Sequence, residues 1–126
     1  MKVLVQYLAV AAGGAVGAVA RYVVADLCGR FFGIAFPIGT FVINISGSFF
    51  LGWFLATIGN RVMMPDAVRL AIAVGFVGAY TTFSTFMYES NGLLQDGSGV
   101  KATVNLLGSV LVGLLAVRLG VLLATR

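Results

Sequence analysis

The sequence contains no histidine and a single cysteine, Cys28. Without histidine the chain lacks the commonest general base and the commonest metal ligand, so Ser–His hydrolytic triads and histidine metal centres are excluded. One cysteine cannot form a disulfide within the chain, and a Cys28 nucleophile would have no histidine to activate it. The composition therefore argues against an enzyme.

Charge is also scarce. Only 10% of the 126 residues are charged, 60% are hydrophobic, and the mean hydropathy is +1.07, values far from those of a soluble domain. At about 20 residues per crossing, four spans nearly use up the chain. We predict an all-α integral membrane protein with one domain, 1–126, and spans near 3–25, 36–59, 68–90 and 100–124. The loops between the spans are short, and an even number of spans places both termini on the same side of the membrane.

The N-terminal apolar run continues well past the length of a signal-peptide core, so it is interpreted as a retained first span.

The net charge of +4 in such a chain does not indicate nucleic-acid binding. Basic residues are divided five to three between the two sides, a weak bias under the positive-inside rule. Either the chain inserts in one orientation with weak signals, or it inserts both ways up. The terminal side holds Lys2, Arg61, Arg69, Arg118 and Arg126, and the other side holds Arg21, Arg30 and Lys101.

The chain repeats itself with an offset of 61 residues. Segment 12–18 matches 73–79 at five of seven positions, and 44–48 matches 105–109 at Asn, Gly and Ser. Two matches in the same register predict a duplicated two-helix hairpin, about 3–59 and 68–124.

Polar and small residues recur every four positions in the second and fourth spans, which places them on one helix face. Small residues at this spacing, as at Gly13 and Gly17, let helices approach closely, and residues such as Ser48 and Ser109 usually serve packing and interhelical hydrogen bonding. Asn44 differs because its carboxamide needs a partner near the bilayer centre, and its two N–H donors suit an anion. The stripes are Thr40, Asn44 and Ser48, and Asn105, Ser109 and Gly113.

The third span contains GAYTTFSTF, residues 78–86, a group of hydroxyl side chains in an apolar stretch. Two adjacent β-branched threonines after Gly78 predict a break in the helix. Freed carbonyls would suit a hard cation, and freed N–H groups an anion. Phe83 and Phe86 share a helix face; their positive ring edges could complement a dehydrated anion, or the rings pack against lipid or a neighbouring helix.

Few charged residues fall near the spans. Arg21 lies late in the first span, where it either anchors to lipid headgroups or guards a vestibule. Glu89 and Asp26 are expected at span ends, facing water, so that no acidic residue lies in the middle of a span.

These motifs resemble those of the Fluc (CrcB-type) family of small fluoride channels, and the resemblance covers the whole chain. It is carried by GAVGAVARY at 14–22, GTFVINISGSFFLG at 39–52 and GFVGAYTTFSTF at 75–86. The resemblance implies an antiparallel, dual-topology homodimer in a bacterial inner membrane, with two parallel fluoride pores and a third helix broken in mid-membrane.

The resemblance also implies roles for particular residues. A structural sodium ion at the dimer centre would be held by the backbone carbonyls of Gly78 and Thr81. Phe83 and Phe86 would coordinate fluoride by their ring edges, Asn44 would donate hydrogen bonds to it, and Arg21 would lie at the vestibule.

Beside these residues, we predict that the hydroxyls of Thr82, Ser84 and Ser109 contribute to the pore, because fluoride must exchange its water for many donors. Asn105 departs from the family pattern, since some members carry a tyrosine there. No organic cofactor is expected.

Two other classes remain open. A small dual-topology multidrug or guanidinium exporter also has four spans, but proton coupling needs a membrane-embedded carboxylate, for which Glu89 is the nearest candidate. A purely structural membrane subunit would account for the glycine packing and leave GAYTTFSTF unexplained.

Overall fold

The computed structural model of the chain describes residues 1–61 and 63–126, apart from the side chains of Asn60 and Arg61. The predicted loop 60–66 therefore lies partly outside the described residues. So does the side chain of Arg61, which was counted among the basic residues that influence orientation. The regular elements of the described part are α1 (Lys2–Phe32), α2 (Ile38–Arg61), α3 (Asp66–Leu70), a π-helical segment (Ala71–Val77), α4 (Gly78–Tyr80), α5 (Phe83–Gln95) and α6 (Gly99–Ala124).

Four helical stretches are long and apolar enough to cross a membrane, namely Lys2–Phe32, Ile38–Gly59, Asp66–Gln95 and Gly99–Ala124. The prediction of four spans is confirmed, but several helices are longer than expected. α1 continues to Phe32, where an ion pair one turn apart joins Arg30 to Asp26 at 2.8 Å. Gly33, with φ of 76°, then ends the helix.

The helices pack in two pairs. α1 lies along α3, the π-helical segment and α4, while α2 lies along α6 and also contacts the third span. Gly13 and Gly17 make the first pairing possible, because a Cβ at either position would overlap the backbone carbonyls of Ala71 and Phe76. Gly52 in α2 comes equally close to α6. The close approach predicted from small residues four apart is confirmed.

The π-helical segment is seven residues long and lies against the glycine face of α1. In a π-helix each N–H bonds the carbonyl five residues back, so the turn is wider than in an α-helix. The widened turn places its carbonyls against the glycines of α1 and leads directly into α4.

Most large hydrophobic side chains are exposed, and the buried core is small. The surface measures 8095 Å², against about 6,400 Å² for a compact soluble monomer of this mass. An apolar perimeter of this kind belongs in lipid, as a multi-pass membrane protein requires. The buried apolar residues are Ile43, Phe54, Val77, Phe86, Ala102, Ala116 and Ala124.

Candidate functional site

The third span is helical up to Tyr80 and again from Phe83, and two extended residues separate the parts. Thr81 has φ −77° and ψ 158°, and Thr82 has φ −149° and ψ 119°. The Val77 carbonyl accepts hydrogen bonds from both the Thr81 amide and the Thr81 hydroxyl, each at 2.9 Å. Thr82 then caps the next helix, since its hydroxyl oxygen accepts from the Thr85 amide at 3.3 Å. Two β-branched residues suit this extended backbone.

Asn44 supplies the hydrogen bonds that the extended backbone needs. Its Oδ1 accepts from the Thr82 amide at 2.8 Å, and its Nδ2 donates to the Thr82 carbonyl at 3.0 Å. A backbone amide can only donate and a carbonyl only accept, so this pairing fixes the orientation of the side-chain amide. Asn44 was expected to need a partner and to donate to an anion. Its partner in the chain is the backbone of Thr82, and one Nδ2 hydrogen remains for another acceptor.

A cavity of about 250 Å³ opens beside the interruption. It brings together four residues of the predicted site, Asn44, Thr81, Thr82 and Phe83. α2 can approach this closely only because residue 47 is a glycine, where a Cβ would overlap the Thr81 methyl group. The remaining lining residues are Ser48, Leu51 and Val77.

Phe83 and Phe86 form an edge-to-face pair, with ring centroids 6.2 Å apart and ring planes at 66°. Phe83 is 73% exposed, whereas Phe86 is 5% exposed. The shared face predicted from their spacing agrees with this contact. The sequence did not predict that one ring would be covered by neighbouring helices and the other left open.

The hydroxyl groups of the predicted site differ in whether their hydrogen is already used. The Thr82 hydroxyl donates to Thr85 Oγ1 at 3.0 Å, so its proton is engaged within the chain. Ser84 is exposed. Among the described residues, Ser109 Oγ is buried and has no hydrogen-bond partner. Thr85 was not assigned to the site, although its position three residues after Thr82 is that of a residue bonded to a helix cap.

A second polar connection joins α5 to α6. Asn105, only 2% exposed, donates from Nδ2 to Ser90 Oγ at 2.9 Å. Ser90 in turn donates from its hydroxyl to the Phe86 carbonyl at 2.7 Å. Sequence reasoning missed Ser90, because a lone serine four residues after a phenylalanine carries no distinctive signal.

Another cavity, of about 330 Å³, lies where α1, α2 and α5 meet, and it is lined by Ala25, Thr40, Glu89 and other residues. Arg21 is one helical turn before Ala25 on α1 and shares its side of the helix. The expectation that Glu89 ends its span is wrong, and its half-buried side chain lines this cavity. α5 continues to Gln95, and Glu89 Oε2 is buried without a hydrogen-bond partner among the described residues.

The interruption also leaves backbone carbonyls without their usual partners. In a continuous helix the Thr82 amide would bond the Gly78 carbonyl, but it is bonded to Asn44. The Thr81 carbonyl belongs to an extended residue outside both helices. Neutral carbonyl oxygens suit a hard cation such as sodium. Among the described residues no group of three or more acidic, cysteine or histidine side chains could hold a metal.

Four spans and a neutral polar site at a helix interruption define a multi-pass membrane protein with no acid–base machinery at that site. Residues 8–121 match the family model described as CrcB-like protein, Camphor Resistance (CrcB). The chain is 47% identical over 111 residues to the fluoride-specific ion channel FluC of Magnetococcus marinus, covering 88% of this chain and 90% of that protein. It is 45% identical over 121 residues to the fluoride-specific ion channel FluC of Acidobacterium capsulatum, covering 96% and 97%. The chain belongs to the CrcB family.

Proposed function

We propose that the chain forms a fluoride-selective channel through which fluoride leaves the cell passively, down its electrochemical gradient. The observation that carries this proposal is a neutral, hydroxyl- and amide-lined site set at an interruption of an apolar membrane helix. The fluoride-specific channels that are similar over nearly their whole length support it. Passage of an ion changes no covalent bond, so the protein is not an enzyme.

Fluoride is small and strongly hydrated, and a selective path must replace its water with other donors. Asn44 offers its second Nδ2 hydrogen, and Ser109 offers a buried hydroxyl hydrogen that no group of the described chain accepts. Ser84 offers an exposed hydroxyl. Thr82 can contribute only by exchanging its bond to Thr85 for one to the ion. A neutral lining suits an anion because it carries no carboxylate to repel it.

The two phenylalanine rings complete the fluoride path. The edges of aromatic rings carry partial positive charge and complement an anion that has lost water. Phe83 borders the cavity at the interruption. The Phe86 ring contacts the Phe83 ring edge to face. At the entrance, the positive charge of Arg21 raises the local concentration of fluoride in the vestibule.

The working unit is an antiparallel homodimer of dual topology in the bacterial inner membrane, with two pores. A ring as exposed as Phe83 beside a polar cavity supports burial against a second copy. The nearly even division of basic residues between the two sides supports insertion both ways up. Thr81 and Thr82 lie close to the midpoint of the span Asp66–Gln95, which supports an interruption at mid-membrane where the two copies meet.

A structural sodium ion at this meeting point would be held by the carbonyls of Gly78 and Thr81. It would supply a positive potential equally to both pores and hold the two subunits together. The role of the chain is to keep these carbonyls free. Asn44 keeps the Gly78 carbonyl free, because it accepts from the Thr82 amide that would otherwise bond Gly78.

The proposal is tested with liposomes that carry the purified protein and are loaded with fluoride and chloride. Rapid release of fluoride with retained chloride is expected, and retention of both anions or equal release would refute a selective channel. Proton-coupled uptake of an organic cation would instead support the exporter.

Phe83→Ile and Phe86→Ile should abolish release while the dimer still assembles. Phe31→Ile, at the exposed end of α1, is the matched control.

Topology is tested separately by labelling a tag at the C-terminus in intact cells. Dual insertion predicts that about half of the tags are reached from outside. Labelling from one side only would contradict it.

A further inference from the structure

The residues of the hydrogen-bonded connection from α6 to α5 are almost completely buried. Asn105, Ser90 and Phe86 are 2%, 3% and 5% exposed, and Ala102, one turn before Asn105 on α6, is 0% exposed. A serine hydroxyl has one hydrogen, and at 2.7 Å it is directed at the Phe86 carbonyl. Ser90 can therefore only accept from Asn105, which requires that the amide nitrogen, not the amide oxygen, faces it.

This connection determines the geometry of one turn of α5. The Ser90 hydroxyl bonds the carbonyl four residues back, an arrangement that bends a helix slightly. The bond from Asn105 holds that hydroxyl in a single position and joins the turn to α6. Phe86 begins the turn, and its ring meets Phe83 edge to face at 6.2 Å. Any relaxation of the turn therefore moves one ring relative to the other.

We propose that Asn105 is a positioning residue for fluoride selection, which sets the place of the Phe86 ring by acting through Ser90 and does not contact the ion. The inference rests on the proposed function. The amide donor of Asn105 that reaches α5 is used by Ser90. Selection of a small ion demands that the groups around it be held in place, and a supporting residue that locks them contributes without touching the ion.

A double-mutant cycle separates this role from direct contact with fluoride. Asn105→Ala, Ser90→Ala and the double variant are reconstituted in liposomes, and the ratio of fluoride to chloride release is measured. Each single variant should lower the ratio about three- to tenfold, the range that one interhelical hydrogen bond in a membrane supports. The ratio in the double variant should be no lower than in the single variants, because either substitution alone already removes the hydrogen bond between Asn105 and Ser90.

If the losses of the two single variants multiply in the double variant, Asn105 acts independently of Ser90 and the inference is overturned. An unchanged ratio in Asn105→Ala, with active wild-type protein, also overturns it and leaves the proposed channel intact. Failure of the wild-type protein to release fluoride refutes the channel itself. The three failures are thus distinguishable.

Two further variants keep the test decisive if the alanine variants assemble poorly. Ser90→Thr and Ser90→Val have the same shape, but only threonine keeps the hydroxyl. Threonine should retain most of the selectivity and valine should lose it; equal behaviour of the two contradicts the inference. Thr103→Ala is the matched control, since it removes an exposed hydroxyl bonded to the Gly99 carbonyl at 2.9 Å on the same helix. It should leave the ratio unchanged.

Discussion

Replacing Asn44 by alanine should damage both the folded structure and fluoride release. The substitution removes the only side-chain partners of the Thr82 amide and carbonyl among the described residues. Thr82 is 7% exposed, so its backbone groups have little access to water. Each buried backbone group left without a partner costs about 1–3 kcal/mol, or roughly 2–6 kcal/mol for the pair. Since folded proteins are stable by only about 5–15 kcal/mol, the loss should be large.

The effect is measured on purified protein by thermal unfolding followed by circular dichroism, together with fluoride release from liposomes. Asn44→Asp separates structure from ion contact: its carboxylate still accepts from the Thr82 amide but places a negative charge at the cavity. It should unfold at a temperature between those of the wild type and Asn44→Ala, and release no fluoride. Thr57→Ala, which removes an exposed hydroxyl bonded to the Trp53 carbonyl at 2.7 Å, is the control on the same helix. Normal unfolding and normal release in Asn44→Ala would show that the pairing is dispensable.

Four other substitutions follow from the packing and from the unpartnered hydroxyl. Gly47→Ala should slow fluoride release strongly, because its Cβ would overlap the Thr81 methyl group and displace the interruption; normal release would show that α2 can yield. Gly17→Ala should destabilise by about 1–3 kcal/mol through overpacking. Gly59→Ala, with no described atom within 4 Å of the added Cβ, should stabilise slightly, and equal unfolding temperatures of the two variants would contradict the packing argument. Ser109→Ala should leave unfolding unchanged and reduce fluoride flux, since the hydroxyl has no partner among the described residues; unchanged flux would remove it from the path.

The number of spans was predictable because hydropathy and length are sufficient to identify membrane helices. The ends of the helices were not. Two helices continue beyond their apolar parts: α1 through the turn that holds the Arg30–Asp26 ion pair, and α5 past Glu89. Hydropathy does not detect the part of a helix that continues outside lipid. Two adjacent β-branched residues, a local signal, predicted a break in the helix near Thr81 and Thr82.

Long-range partners were not predictable from the same signals. Asn44 and Thr82 are 38 residues apart, and their pairing depends on how α2 packs against the third span. Similarly, a spacing of three placed Phe83 and Phe86 on one face, but only the position of neighbouring helices decides which ring is covered. Ser90 became a candidate only when its contact with Asn105 was seen.

The wide turn at Ala71–Val77 determines how the following residues of the third span are oriented around the helix axis. Each residue advances the chain around the helix axis, by less in this wide turn than the roughly 100° of an α-helix, so deleting one residue here would rotate Thr81 and Thr82 about the axis. Their backbone would then point away from Asn44. Natural variants of this segment are therefore expected to keep its length, and also to keep glycine at position 75, where a Cβ would overlap the Val10 carbonyl.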